Sequence, residues 1–269
     1  MNQFAGGVFL ILSIINNKGG VGKTTITVNL AHAIANKGKS VLVVDSDPQS
    51  NTSSIFTPNP DLLNPNSLYN LFDNNLPIEE CIYKTGYDGL DILPNVHETS
   101  QLEIDLYKDV NMSYCMLRDS LRDYADANYD ITIIDCSPTL GLFTIQALIS
   151  SDVVIVPIEA GCRYSLNGFV AALDVITAIT EKVNHKLRFL KAVINKADSR
   201  TTLSRISVER IRKQFIDKTF ETTFNNDIKI KEAAALGITV IRHNPSCGAS
   251  KKFRLLADEV ISLTENVNV

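Results

Sequence analysis

Residues 9–25 read Phe9-Leu10-Ile11-Leu12-Ser13-Ile14-Ile15-Asn16-Asn17-Lys18-Gly19-Gly20-Val21-Gly22-Lys23-Thr24-Thr25. The first seven are apolar at every position but Ser13, the pattern of a short strand covered on both faces. A glycine-rich turn follows, and then helical periodicity over Thr24–Asn36. Glycines let the backbone of such a turn aim its N–H groups inward, and the next helix presents its positive dipole end to the same point. The order strand, loop, Gly22-Lys23-Thr24, helix therefore predicts a phosphate cradle formed by Gly19, Gly20, Val21, Gly22 and Thr25. Lys23 would reach the β- and γ-phosphates of a nucleotide, and the Thr24 hydroxyl would serve Mg²⁺.

Outward from this loop, Ser40–Val44, Leu90–Leu93, Ile131–Ile134, Val153–Pro157 and Arg188–Ile194 repeat the short apolar pattern. Between them, Ser113–Ala127, Ser165–Lys182 and Leu203–Ile216 carry helical periodicity. This alternation predicts an α/β fold, a doubly wound, mostly parallel sheet with flanking helices forming one domain over residues 1–269, and the phosphate loop after its first strand makes it of the P-loop NTPase type. Residues 51–80, rich in Asn, Pro and Leu, are expected to form a loop with one short helix. Two strands end in carboxylates: Asp45-Ser46-Asp47-Pro48-Gln49 follows one, and Asp135-Cys136-Ser137-Pro138 follows another. Ligands of open α/β sheets bind at the C-terminal rim, so these aspartates are expected beside the phosphate loop. An apolar strand delivering Asp135 there suits holding Mg²⁺ through its water shell.

The chain has 269 residues, 45% hydrophobic and 21% charged, as in ordinary globular proteins. A net charge of −4 excludes a generally basic nucleic-acid coat. The charge is unevenly spread, however. Residues 1–180 carry nine Lys and Arg against twenty Asp and Glu, and residues 181–269 carry seventeen against ten. A polyanion site confined to the C-terminal third is therefore allowed. Five cysteines (Cys81, Cys115, Cys136, Cys162, Cys247) show no paired spacing, which fits a reducing compartment and argues against a cysteine-built metal site. Val8–Ile15 is too short to span a bilayer, and no basic segment precedes it, so a cytoplasmic protein is expected. The four histidines share no ligand spacing.

The loop departs from the usual phosphate-binding pattern: Asn17 stands at its first glycine, and a second lysine, Lys18, follows. Lys18-Gly19-Gly20-Val21-Gly22-Lys23-Thr24 resembles the deviant phosphate loop of the ParA/MinD family of ATPases. Asp45-Ser46-Asp47-Pro48-Gln49 resembles that family's D-x-D-P-Q segment, and Asp135-Cys136-Ser137-Pro138 its D-C-P-P segment, with Ser137 replacing a proline. Lys231-Glu232-Ala233 through Pro245-Ser246 and Gly248-Ala249 resembles its closing E-A…P-x-S-x-G-A stretch. The resemblance implies ATP and Mg²⁺ as cofactors and a homodimer that sandwiches ATP, with Lys18 crossing to the partner's phosphates. It implies catalytic roles for Lys18, Lys23 and Asp47, the last orienting the attacking water. It places Thr24, Asp45 and Asp135 around magnesium, and Asn195 and Pro245 around the adenine. Asn195-Lys196-Ala197-Asp198 also spells the N-K-x-D pattern that reads guanine in GTPases, while Asp198-Ser199-Arg200-Thr201 resembles the family's D-A-R-T. ATP is the expected nucleotide and GTP the competing one.

Members of this family position DNA, divide cells, transfer electrons or serve metabolism, so the fold does not settle the function. The D-S-R-T segment, the closing stretch and the basic C-terminal third resemble the ParA (Soj-like) branch. That branch implies slow ATP hydrolysis, nonspecific DNA binding on the nucleoid, partitioning of a plasmid or chromosome, and a ParB-like partner. Arg200, Arg205, Lys229, Lys231, Lys251 and Lys252 are the candidate DNA contacts. An orphan homologue carrying another cargo is the alternative. A membrane-bound MinD-like regulator would need a basic amphipathic C-terminal helix, whereas Ala257–Glu265 is acidic. A redox member would need paired cluster cysteines, which the spacing does not provide.

Overall fold

Runs of consecutive Ile, Val and Leu can bury both faces of a strand only inside a sheet covered on both sides, and the strands form there. A computed structural model describes residues 9–57, 66–106, 113–198 and 200–265. The strands are β1 (Leu10–Ile14), β2 (Val41–Asp45), β3 (Tyr83–Lys84), β4 (Leu90–Leu93), β5 (Ile131–Asp135), β6 (Val153–Glu159), β7 (Arg188–Ala197) and β8 (Thr219–Asn225). They make one sheet in the order β3-β4-β2-β5-β1-β6-β7-β8. Within it, β3 runs antiparallel to β4 and the other pairings are parallel.

Eleven α-helices are described: α1 (Lys23–Ala35), α2 (Asn51–Phe56), α3 (Leu68–Asp73), α4 (Thr99–Leu106), α5 (Met116–Asn128), α6 (Leu142–Ser150), α7 (Arg163–Lys182), α8 (Thr202–Gln214), α9 (Ile228–Ala235), α10 (Val240–His243) and α11 (Gly248–Glu265). Successive residues of a strand point to opposite faces, and β1 divides accordingly. Leu10, Leu12 and Ile14 pack with Ile26 and Leu30 of α1 and Phe253 and Leu256 of α11. Ile11, with Ile15 just beyond the strand, joins Leu117 and Leu121 of α5, Phe143 of α6 and Phe169 of α7. Two cores on two faces of one sheet are what doubly wound means physically. α1 is buried on most of its circumference because it lies between the sheet and α11.

The expected strands and helices fall where the periodicity put them, with ends shifted by a few residues. Residues 51–80 differ: among those described, they hold α2, α3 and a turn of 3₁₀ helix at Ile78–Glu80 rather than one helix, while 58–65 lie outside the described residues. The strand β8, Thr-Phe-Glu-Thr-Thr-Phe-Asn, was not expected because its outer positions are polar, and β3 is too short to carry a pattern. Ser199 of the D-S-R-T segment also lies outside the described residues.

Candidate functional site

Because β1 lies between β5 and β6, the loops leaving all three strands share one rim. The register brings Ile14, Asp45 and Asp135 level across β1, β5 and β2. Gly20 and Gly22 have φ of +76° and +99°, a region that L side chains rarely adopt, and this winds the loop after β1. Gly22 is also pressed on Asn195: a Cβ there would stand 2.3 Å from the Asn195 amide nitrogen. That amide donates to the Val21 carbonyl at 2.8 Å, so a buried side chain from the end of β7 props the loop from beneath.

A cavity of about 350 Å³ opens over the loop, lined by Gly19, Gly20, Gly22, Lys23, Thr24, Thr25, Asp47 and Lys196, with Gln49, Asn51 and Pro138. Lys23 is buried, and burial lowers its pKa against the pull of Asp135, Cys136 and Asp47. A cation set into a glycine-lined cavity at a helix N-terminus is an anion site. Asp47 has its Oδ1 bonded to the Gln49 N–H at 3.0 Å and faces the cavity. Lys196 was not singled out from the sequence, although it stands inside the N-K-x-D pattern. With φ of +53°, it turns back and donates from Nζ to the Gly20 carbonyl at 2.5 Å.

Thr24 and Asp135 meet directly, the hydroxyl donating to Asp135 Oδ2 at 2.7 Å. Thr27 and Thr52 donate to the same carboxylate at 3.0 and 2.7 Å. Burial raises the Asp135 pKa, opposed by these three hydroxyls and by Lys23. No group of three or more His, Cys, Asp or Glu among the described residues forms a protein-only metal site. A hydroxyl and one carboxylate beside an anion cavity instead suit Mg²⁺, which keeps several waters and shares phosphate oxygens.

Asp45 does not join this set. It is fully buried, and it accepts from the Ser53 N–H and hydroxyl at 2.8 and 2.7 Å and from the Asp47 N–H at 3.1 Å. Burial, and then the neighbouring Asp135, push its pKa up to about 7. Its Oδ2 serves Ser53 of α2 and its Oδ1 the Asp47 N–H, so the expected magnesium role is corrected to one of anchoring that helix and the turn before it. Asn195 supports the loop, and Pro245 is absent from the cavity wall, its carbonyl accepting from Arg254 at 2.7 Å. Neither expected adenine contact is therefore brought into the cavity.

Lys18, five residues before Lys23, leaves the cavity altogether. Its Nζ lies 2.5 Å from Glu159 Oε2 and 3.0 Å from Cys162 Sγ. Burial alone would lower its pKa, but hydrogen bonds to Cys162 and Glu159 outweigh it and hold it above the ordinary value.

The candidate DNA residues separate into two kinds. Lys231, Lys251 and Arg205 are exposed. Arg200 is exposed but forks onto both oxygens of Asp198 at 2.9 Å, which holds the Asp198 pKa down at about 2. Lys229 pairs with Glu232 at 2.8 Å. Lys252 is corrected: it is half-buried and donates to the Thr223 carbonyl at 2.6 Å, so it faces the sheet and not a ligand.

A family model described as an AAA domain matches residues 9–189. The chain is 33% identical over 254 residues to the chromosome partitioning protein ParA of Caulobacter vibrioides, covering 94% of each protein. Its fold is similar to that of cobyrinic acid a,c-diamide synthase from Mycobacterium smegmatis with bound ADP and magnesium. That match has a TM-score of 0.74 and 27% identity and covers 89% of this chain and 96% of the other. The septum site-determining protein MinD from Pyrococcus horikoshii, complexed with Mg-ADP, superposes with a TM-score of 0.78 at 24% identity, covering 96% and 98%. No helix among the described residues is long and apolar enough to cross a membrane.

Proposed function

The chain belongs to the ParA/MinD family of partition ATPases, and from that premise we propose that it is an ATP-timed switch that moves a plasmid or chromosome. ATP and Mg²⁺ close a homodimer, the dimer binds DNA without regard to sequence, and a ParB-like partner prompts the hydrolysis that releases it. The observation that carries this reading is the divergence of two lysines on one loop. Lys23 lines the anion cavity, whereas Lys18 points out of it toward Glu159. A cation that a loop sends away from its own cavity can reach a neighbouring subunit once it exchanges Glu159 for the partner's phosphates.

In this reading the loop N–H groups and Lys23 bind the β- and γ-phosphates. Thr24 and Asp135 would hold Mg²⁺, which supplies neutralisation of the phosphate oxygens when bound. Asp47, held by the Gln49 N–H and facing the cavity, orients the attacking water through its free oxygen. ATP is favoured over GTP because Asp198, the base-reading position of an N-K-x-D pattern, is taken up by Arg200. The exposed Lys231, Lys251 and Arg205, with Arg200, supply the phosphate contacts to DNA. The test is size-exclusion chromatography with and without ATP and Mg²⁺ on wild type and Lys18→Ala. The wild type should dimerise with ATP and the variant should bind ATP yet stay monomeric; a variant that dimerises and hydrolyses normally would refute the reading. Unlabelled ATP should also displace a labelled analogue better than GTP does.

A further inference from the structure

Among the described residues β8 is the last strand of the sheet, and one side of its backbone faces no other strand. Such an edge offers N–H and C=O groups to any extended chain, a second copy of itself included. Here four of the backbone groups at the centre of the strand are already taken by side chains. Glu259 of α11 accepts from the N–H groups of Glu221 and Thr222 at 2.7 and 2.9 Å. Arg212 of α8 donates to the Glu221 carbonyl at 2.8 Å, and Lys252 of α11 donates to the Thr223 carbonyl at 2.6 Å.

The ladder explains how one carboxylate takes two successive N–H groups. Ala192 pairs with Thr219 and Ile194 with Thr223, so β8 carries two more residues than β7 over the same span. A bulge of this kind breaks the alternation of N–H directions. The chemistry is matched group by group, with a carboxylate on the donors and cations on the acceptors. Burial lowers the Lys252 pKa, the mark of an ammonium drawn in against the strand and away from water.

We propose that Glu259, Lys252 and Arg212 form a clasp that closes the open edge of the sheet against pairing with β8 of a second copy. Two such edges would meet about a two-fold axis, each strand offering the other the same groups, as isologous contacts do. The half-exposed Leu255 stands in the same shallow groove as Lys252 and Glu259 and would be covered by that contact. The clasp thereby restricts self-association to routes that do not use the sheet edge. It stands independently of the nucleotide reading.

Glu259→Ala removes a charged competitor from two N–H groups, so the self-association constant should rise between about 10-fold and 10²-fold over wild type. Sedimentation velocity over a range of protein concentrations, without nucleotide and in a Lys23→Ala background, reads this apart from any ATP-driven dimer. Amide hydrogen exchange should show residues 221–225 becoming protected as the variant associates. Should Glu259→Ala lose its native circular dichroism, Lys252→Ala, which frees only the Thr223 carbonyl, takes its place. A blocked peptide of sequence Thr219–Asn225 should then bind Lys252→Ala more tightly than wild type. Folded variants that stay monomeric and ignore the peptide, or that associate without protecting residues 221–225, would overturn the clasp.

Discussion

Gly22→Ala should cost nucleotide affinity for two separable reasons. An alanine at φ +99° is strained by about 1–3 kcal/mol. Its Cβ would also stand 2.3 Å from Nδ2 of a buried asparagine whose amide holds the Val21 carbonyl. If Asn195 moves aside, that buried hydrogen bond is lost at a further ~1–3 kcal/mol. The competent loop then becomes a minor state, and apparent affinity falls by its population. A combined cost of ~3 kcal/mol predicts ATP binding weaker by about 10²-fold. Titration calorimetry with Mg-ATP measures it, and thermal melts check that the variant remains folded. The two causes are parted by Gly22→Ala in an Asn195→Ala background, where the collision is gone and only the strain remains. The second substitution should therefore add less than its own separate cost. Wild-type affinity in Gly22→Ala, or strict additivity in the double variant, would refute the buttress.

Asp47→Ala should bind ATP and dimerise while turnover falls by ~10²-fold or more in a phosphate-release assay; failure to bind ATP would move Asp47 to a structural role. Arg200→Glu with Lys231→Glu should abolish gel shifts of unrelated DNA sequences, whereas Lys252→Ala, which is turned to the Thr223 carbonyl, should leave the affinity and its salt slope unchanged. His32 is kept neutral by burial, with Arg242 and Arg254 adding repulsion, and its pKa is lowered to about 4. A depressed histidine stabilises the fold fully above its unfolded value near 6.5, and that contribution is lost as pH falls toward 4. The shift corresponds to about 3 kcal/mol, or roughly 2 after allowing for its solvent-facing part. Denaturant melts of His32→Gln should lose that much less stability than wild type between pH 7 and pH 4; parallel losses would refute the assignment.

The phosphate loop was legible because its parts are neighbours along the chain. The apolar run, the glycines, Lys23 and the helix start lie within 17 residues, and each residue type has a local reason to be there. Asp47 and Asp135 were legible for a similar reason, since strand ends of a parallel sheet reach one rim whatever their order. What each charged group does on arrival was decided elsewhere. Asp45 and Asp135 both end apolar strands and stand level in register, yet Ser53 takes one and Thr24, Thr27 and Thr52 take the other. Lys18 and Lys23 share a loop, but Glu159, 141 residues away, fixes the direction of the first. Lys252 and Glu259 read as surface charges until the edge of β8 is set beside them. Sequence patterns report short-range geometry, which backbone periodicity fixes. Which partner satisfies a buried charge depends on crossovers between strands far apart in the chain, and only the assembled sheet determines those.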